Sequence, residues 1–288
     1  MSNKLQIAPV NSNNLLRWYP NEAPTVDNST FVTGIHNGYL YKWRTFSDYL
    51  PILTEDTLTL YTNFDTDTYL EGGQIKVVEE SSCGNYTVIN DTTQYDVTAT
   101  SWGTRNAKIT LTIPTTNTKS NHNFRLAIVG EADTIQYVSN YFTLFAKTAK
   151  NINNTHLISF YNKSNVYNYE WSDFDETVDD FYQVRLASSM IEISYPSEKE
   201  IYHEATTGRP RVTRATNNKQ ITFEVYFNTE ELHDGLSTVS NFRYFGVNGR
   251  KYIVESYEPS VNLNFNLFKS TMILKDVEFD RRINICTT

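Results

Sequence analysis

The chain has 288 residues, enough for two domains that each bury a core, and its formal net charge is −8. Hydrophobic residues make up 39% and charged residues 20%, the balance of a folded protein rather than a disordered one. The acidity argues against bulk nucleic-acid binding, and no apolar run approaches the roughly 20 residues that a bilayer span needs.

Twenty Tyr and 16 Phe, beside abundant Thr, Val and Ile, favour pleated surfaces over helices. The expectation is a mainly β protein with two antiparallel β domains. The opening "MSNKLQIAPVNSNNLLRWYP" has no apolar h-region and no small-residue cleavage site, so it reads as unsecreted. Residues 1–44 are polar and irregular, the pattern of an N-terminal arm held by a partner, with Arg17, Trp18 and Tyr19 as its anchors.

Residues 45–148 read as a β-sandwich. Strand-like alternation recurs in "TLTLY", "IKVV", "YTVI" and "YDVTA", and is cleanest in "AKITLTIP", where Ala107, Ile109, Leu111 and Ile113 share one face. Phe124, Leu126 and Ile128 belong to the same inner face. About seven short strands at this spacing match an immunoglobulin-like sandwich in general form, without its usual Cys…Trp…Cys pattern.

Residues 149–155 are polar and read as a linker. Residues 156–288 form a second β-rich domain with one short helix near 228–240. Asn228 and Glu231 sit at capping-box spacing, and Leu232, Leu236 and Val239 fall close to a helical stripe. Asn248-Gly249 supplies the positive φ angles of a type I′ hairpin turn.

The search for chemistry finds fragments. "HEATT" at His203 and Glu204 lacks the second His of a zinc-binding helix. Asn63, Asp65 and Asp67 start like a calcium loop, but Thr68 replaces its turn Gly and Gln74 its bidentate Glu. The carboxylates Asp173, Asp175, Glu176, Asp179 and Asp180 suit a solvated acidic loop better than a glycosidase pair. Cys83 has no base joined to it by motif, and it forms no CxxC with Cys286. No catalytic or metal set and no cofactor motif is expected, so the protein reads as non-enzymatic.

One stretch stands apart. "ATTGRPRVTRATNNK", residues 205–219, carries four positive charges and no negative one, between acidic flanks. Arg209 and Arg211 would share one face of an extended chain, and Arg214 would join Val212 on the other. Fully extended, the stretch would reach about 50 Å. It reads as a docking arm for an acidic neighbour that also buries Val212 and the Arg stems, or equally as a solvated hairpin loop whose Arg residues serve solubility.

The stretches "EATTGRPRVTRATNNKQITFEVYF", "FRYFGVNGRKYIVES" and "MILKDVEFDRRIN", in an Asn-, Tyr- and Thr-rich chain, resemble virion proteins of crAss-like tailed phages infecting Bacteroidetes. That resemblance implies a structural component made in the host cytoplasm and placed in the virion neck or tail. It implies a ring of many copies, contacts with other neck and tail proteins, at most transient contact with DNA in a lumen, and no membrane. The alternative is a carbohydrate-binding or adhesin module that stacks sugars on Trp18, Trp43, Trp102 or Trp171.

Overall fold

The computed structural model describes residues 9–10, 15–21, 50–64, 74–82, 85–102, 106–130, 133–161, 181–228, 230–262, 267–279 and 281–284. Its strands in chain order are β1 (Pro9–Val10), β2 (Trp18–Pro20), β3 (Leu50–Leu53), β4 (Thr57–Phe64), β5 (Ile75–Ser82), β6 (Asn85–Ile89), β7 (Asp96–Trp102), β8 (Asn106–Thr112), β9 (His122–Val129) and β10 (Ile135–Phe145). The short helix α1 (Ala149–Asn154) follows. Then come β11 (Thr155–Tyr161), β12 (Tyr182–Ser194), β13 (Ser197–His203), β14 (Pro210–Asn217) and β15 (Gln220–Asn228). Helix α2 (Glu230–Val239), β16 (Tyr244–Val247), β17 (Arg250–Asn262), β18 (Leu267–Asp276) and β19 (Arg281–Asn284) complete the chain. The protein is mainly β, built from several antiparallel sheets, as its composition predicts. Among the described residues no helix is long and apolar enough to cross a membrane.

The first half is a two-layer sandwich. One sheet runs β1-β4-β8-β7, and the other runs β2-β10-β9-β5-β6 with β3 added parallel to β10. Ala107, Ile109, Leu111 and Ile113 are fully buried, as their alternation requires, and they face Phe124, Leu126 and Ile128. Strand β9 is covered on both faces. Ala127 and Val129 form a second cluster with Val78 and Val138, while the Arg125 guanidinium lies 3.5 Å from the Tyr141 ring centroid and donates to the Ser139 carbonyl at 2.9 Å.

The second half closes into a six-stranded barrel, β11-β12-β15-β18-β17-β16, which leaves no edge strand in its wall. Helix α2 buries Leu236 and Val239 completely against it, the stripe read from the sequence. Asn248 and Gly249 hold φ angles of 50° and 78° at the β16–β17 turn, the positive pair that this hairpin needs.

Helix α1 buries no residue, which explains why its polar sequence reads as a linker. Yet the chain on either side is tied together. The buried side chains of sandwich and barrel form one contiguous cluster. Arg185 on β12 donates from Nε and Nη2 to both oxygens of Asp56 at 2.6 Å, and Asp56 Oδ2 also accepts from the Leu53 amide. Both partners are more than nine-tenths buried, so each neutralises a charge that would be costly alone. The Leu16 amide donates to the Tyr182 hydroxyl across the same seam at 3.0 Å, and burial pushes that hydroxyl far above its ordinary range.

Candidate functional site

Strand β12 changes character halfway along. From Tyr182 to Ser188 it is largely buried, whereas Met190 to Glu192 and Ile193 are exposed. The β12–β15 ladder ends at Ser194 opposite Gln220, and the chain continues outward as the β13–β14 ladder, starting at Ser197 opposite Asn217. Pro196, which cannot donate, marks the junction, and its carbonyl accepts from the Asn218 amide at 3.0 Å. The result is one ribbon that leaves the barrel wall as an arm. Every residue of β13 is exposed, and β19 lines the other edge of β14.

The basic stretch therefore forms the turn and return strand of a hairpin, not a single extended chain. Its reach is correspondingly shorter. The eight residues of its strand β14 span about 26 Å at 3.3 Å per residue, against the roughly 50 Å of the fully extended stretch. The correction has a local cause in the tip. Gly208 adopts φ +66°, its amide donates to the Glu204 carbonyl at 2.8 Å, and the Glu204 amide donates to the Arg209 carbonyl at 3.0 Å. The Glu204 carboxylate then takes the Thr207 hydroxyl and the Arg211 guanidinium, so the acidic flank folds back on the basic stretch. His203 and Glu204 serve this turn, with His203 Nδ1 placed 3.2 Å from the Gly208 carbonyl.

The root of the arm is braced. Tyr195 packs on Phe279 with ring centroids 5.6 Å apart. Asp276, 3% exposed, receives Arg250 at 2.6 Å and lies 3.7 Å from the Lys219 ammonium, which uses one of the four charges of the stretch internally.

The expected docking residues divide as follows. Arg209 is exposed at the tip, and Arg211 is exposed but paired with Glu204. Val212 is half-buried opposite Ile201, and Arg214 stands opposite Glu200 in the register, its side chain outside the described residues. Arg17, Trp18 and Tyr19 are elsewhere. Their segment pairs with β10, and Trp18 is 1% exposed with Nε1 donating to Thr62 Oγ1 at 2.8 Å. Trp18 is thus a core side chain of its own chain rather than a partner's anchor, because a large ring with a satisfied N–H gains most inside. Most of the arm at residues 1–44, the side chains of Trp43, Trp102 and Trp171, the Asp65–Asp67 and Asp173–Asp180 carboxylates, Cys83 and Cys286 lie outside the described residues.

What sequence reasoning missed is the apolar surface. Among the described residues nine large hydrophobic side chains are exposed, and six of them occupy one stretch: Met190, Ile191, Ile193, Tyr195, Ile201 and Tyr202. The alternation of "MIEISY" marked a strand, but nothing local distinguishes a strand in a wall from its continuation beyond it.

One further polar network lies between α2 and the barrel. His233 Nδ1 on α2, the Tyr257 hydroxyl and Ser270 Oγ lie within 2.7 to 3.4 Å of one another, and burial pushes Tyr257 up to about 12. Ser270 has no exposed surface, so the network pins α2 to the barrel and offers no open nucleophile. Among the described residues no group of three His, Cys, Asp or Glu is placed to hold a metal ion. No family model and no curated protein matches this chain.

Proposed function

We propose that this protein is a non-enzymatic assembly subunit that binds further copies of itself through the braced β arm. The observation that carries this reading is the gathering of six of the nine exposed large hydrophobics on residues 190–202. Met190, Ile191 and Ile193 lie on the end of β12 beside β15, Tyr195 at the root of the arm, and Ile201 and Tyr202 on the arm itself, and covering them is worth about 25 cal/mol per Å² of apolar surface. Bracing at Tyr195 and Asp276 supports the reading, because a preordered arm loses less entropy on docking. Arg209 at the tip fits the acidic surface that a chain of net charge −8 offers to another copy, an attraction that steers encounter more than it adds affinity.

The resemblance to virion proteins of crAss-like phages supplies the finer proposal: a multi-copy ring in the neck or tail, docked to other tail proteins. Sedimentation and native mass measurement test it. Wild-type protein is expected to form a defined multi-copy species. The double substitution Ile193→Asp with Ile201→Asp is expected to leave monomers whose melting is nearly unchanged. A wild-type protein that stays monomeric at every concentration overturns the proposal.

A further inference from the structure

The sandwich, α1 and the barrel meet around a cavity of about 520 Å³, within the range of small-molecule sites. Among the described residues its lining carries no Lys, Arg, Asp, Glu or His. Hydroxyl and amide groups from Asn151, Asn154, Ser188 and Ser189 alternate there with the rings of Phe145 and Tyr226. Three of the charged side chains close to this lining in sequence are already matched: Arg185 by Asp56, Glu224 (adjacent to Val225 on β15) by Lys269, and Lys147 by Glu55. A charged ligand would find no counterion among the described lining residues, which favours a neutral one.

The direction of its hydrogen bonds narrows the class. Burial raises the Glu224 carboxyl, but the Lys269 ammonium and the Tyr226 hydroxyl outweigh it and hold the group below its ordinary range. An ionised Glu224 accepts only, so the Tyr226 proton, 2.8 Å away, points to it. Ser189 Oγ, 2.7 Å from that hydroxyl, must then donate to Tyr226, which commits its single proton. Ser189 is left facing the cavity as an acceptor. Beneath it Ser188, 1% exposed, donates to the Leu186 carbonyl at 3.0 Å, and His156 Nδ1 lies 3.0 Å from its oxygen. The wall is thus wired inward and presents acceptor lone pairs beside apolar rings.

We infer that this cavity binds a neutral, polyhydroxylated ligand, one or two sugar rings, that donates hydroxyls to Ser189 and lays its CH face on Phe145 and Tyr226. The chemistry is reciprocal: a sugar is rich in hydroxyl donors, uncharged, and apolar on one ring face. The inference does not rest on the assembly reading, and Trp18 does not line the cavity.

The test uses the full-length protein, titrated with a panel of neutral mono- and disaccharides and followed by saturation-transfer NMR and calorimetry. Saturable binding is expected for at least one sugar. Ser189→Ala is expected to weaken it roughly tenfold, the cost of one lost hydrogen bond that leaves a donor unmet. Asn154→Ala, an exposed position, serves as the second variant, and an unchanged melting curve shows that both remain folded. Absence of saturable binding across the panel overturns the inference. So does sugar binding that survives both substitutions, which places the ligand elsewhere, and so does selective binding of neutral dipeptide amides in place of sugars.

Discussion

The two halves of β12 carry similar amounts of apolar side chain, yet they live in different places. Tyr182, Val184 and Leu186 are at most 1% exposed inside the barrel, while Ile191 and Ile193 are 53% and 52% exposed on the end of β12 that pairs with β15 and leads into the arm. Nothing in their chemistry separates them. What differs is whether the neighbouring strands close around them. In the barrel half Tyr182 to Ala187 pair with β11, whose other edge meets β16, and the inner face meets its own opposite wall. From Ser188 to Ser194 the partner is β15 instead, and beyond Ser194 the described residues form a three-stranded sheet outside the barrel, with no opposite wall among them. Burial in this protein is a property of closure, and an apolar strand outside the closure is a surface that another molecule can cover.

That contrast can be broken most severely at the seam where β12 meets the sandwich. Arg185→Ala strands Asp56 as a buried, unpaired carboxylate, and should cost about 3–5 kcal/mol in denaturant unfolding. Replacing both partners together, Asp56→Asn with Arg185→Met, should recover part of that loss, since the penalty lies in the orphaned charge. A loss of under about 1 kcal/mol for the single change would show that the seam is wetter than its burial indicates.

The two halves of β12 can next be compared directly. Leu186→Ala should cost about 2–5 kcal/mol, the transfer and cavity terms of a core Leu. Ile193→Ala should change stability by no more than about 0.5 kcal/mol, as surface substitutions do, while weakening self-association. Equal destabilisation by the two changes would mean that the arm belongs to the cooperative core.

Acid acts on the barrel through His156. Burial lowers the His156 pKa from its ordinary 6.5, with Ser188 opposing and the Arg185 charge adding to the shift. The unfolded chain therefore binds a proton at a pH where the folded barrel does not. Stability is full above about pH 6.5 and falls as pH drops, by at most about 1.4 kcal/mol per unit from this group. Comparing denaturation midpoints at about pH 7 and about pH 5 should show the decline, and His156→Leu should shrink it. A variant with an unchanged pH dependence would assign the decline to other groups.

The smallest expected effect separates arm from barrel most cleanly. Gly208 at the arm tip and Gly249 at the β16–β17 turn have φ angles of +66° and +78°, and an added Cβ meets nothing within 4 Å at either. Alanine should impose the same left-handed strain of about 1–2 kcal/mol at both. Only Gly249→Ala should lower the global melt. Gly208→Ala should instead raise amide exchange around Glu204–Arg209 and leave the barrel untouched. A lowered melt for both would again join the arm to the core.

The sequence by itself determined what is local. Period-two alternation placed Ala107, Ile109, Leu111 and Ile113 on one buried face, Asn248-Gly249 set a hairpin turn, and Leu236 and Val239 marked the buried stripe of α2. Each of these is fixed by neighbours a few residues away, through side-chain direction or allowed φ. The tertiary structure alone decided what lies between distant residues. Asp56 and Arg185 stand 129 positions apart, Trp18 finds Thr62, and β11 meets β16 to close the barrel. The basic stretch was legible as a candidate docking element, but its doubling back depended on Glu204 reaching Arg211 across a turn. The apolar face beside it was hidden altogether, since a strand's pattern records which way each side chain points and not whether anything stands opposite to receive it.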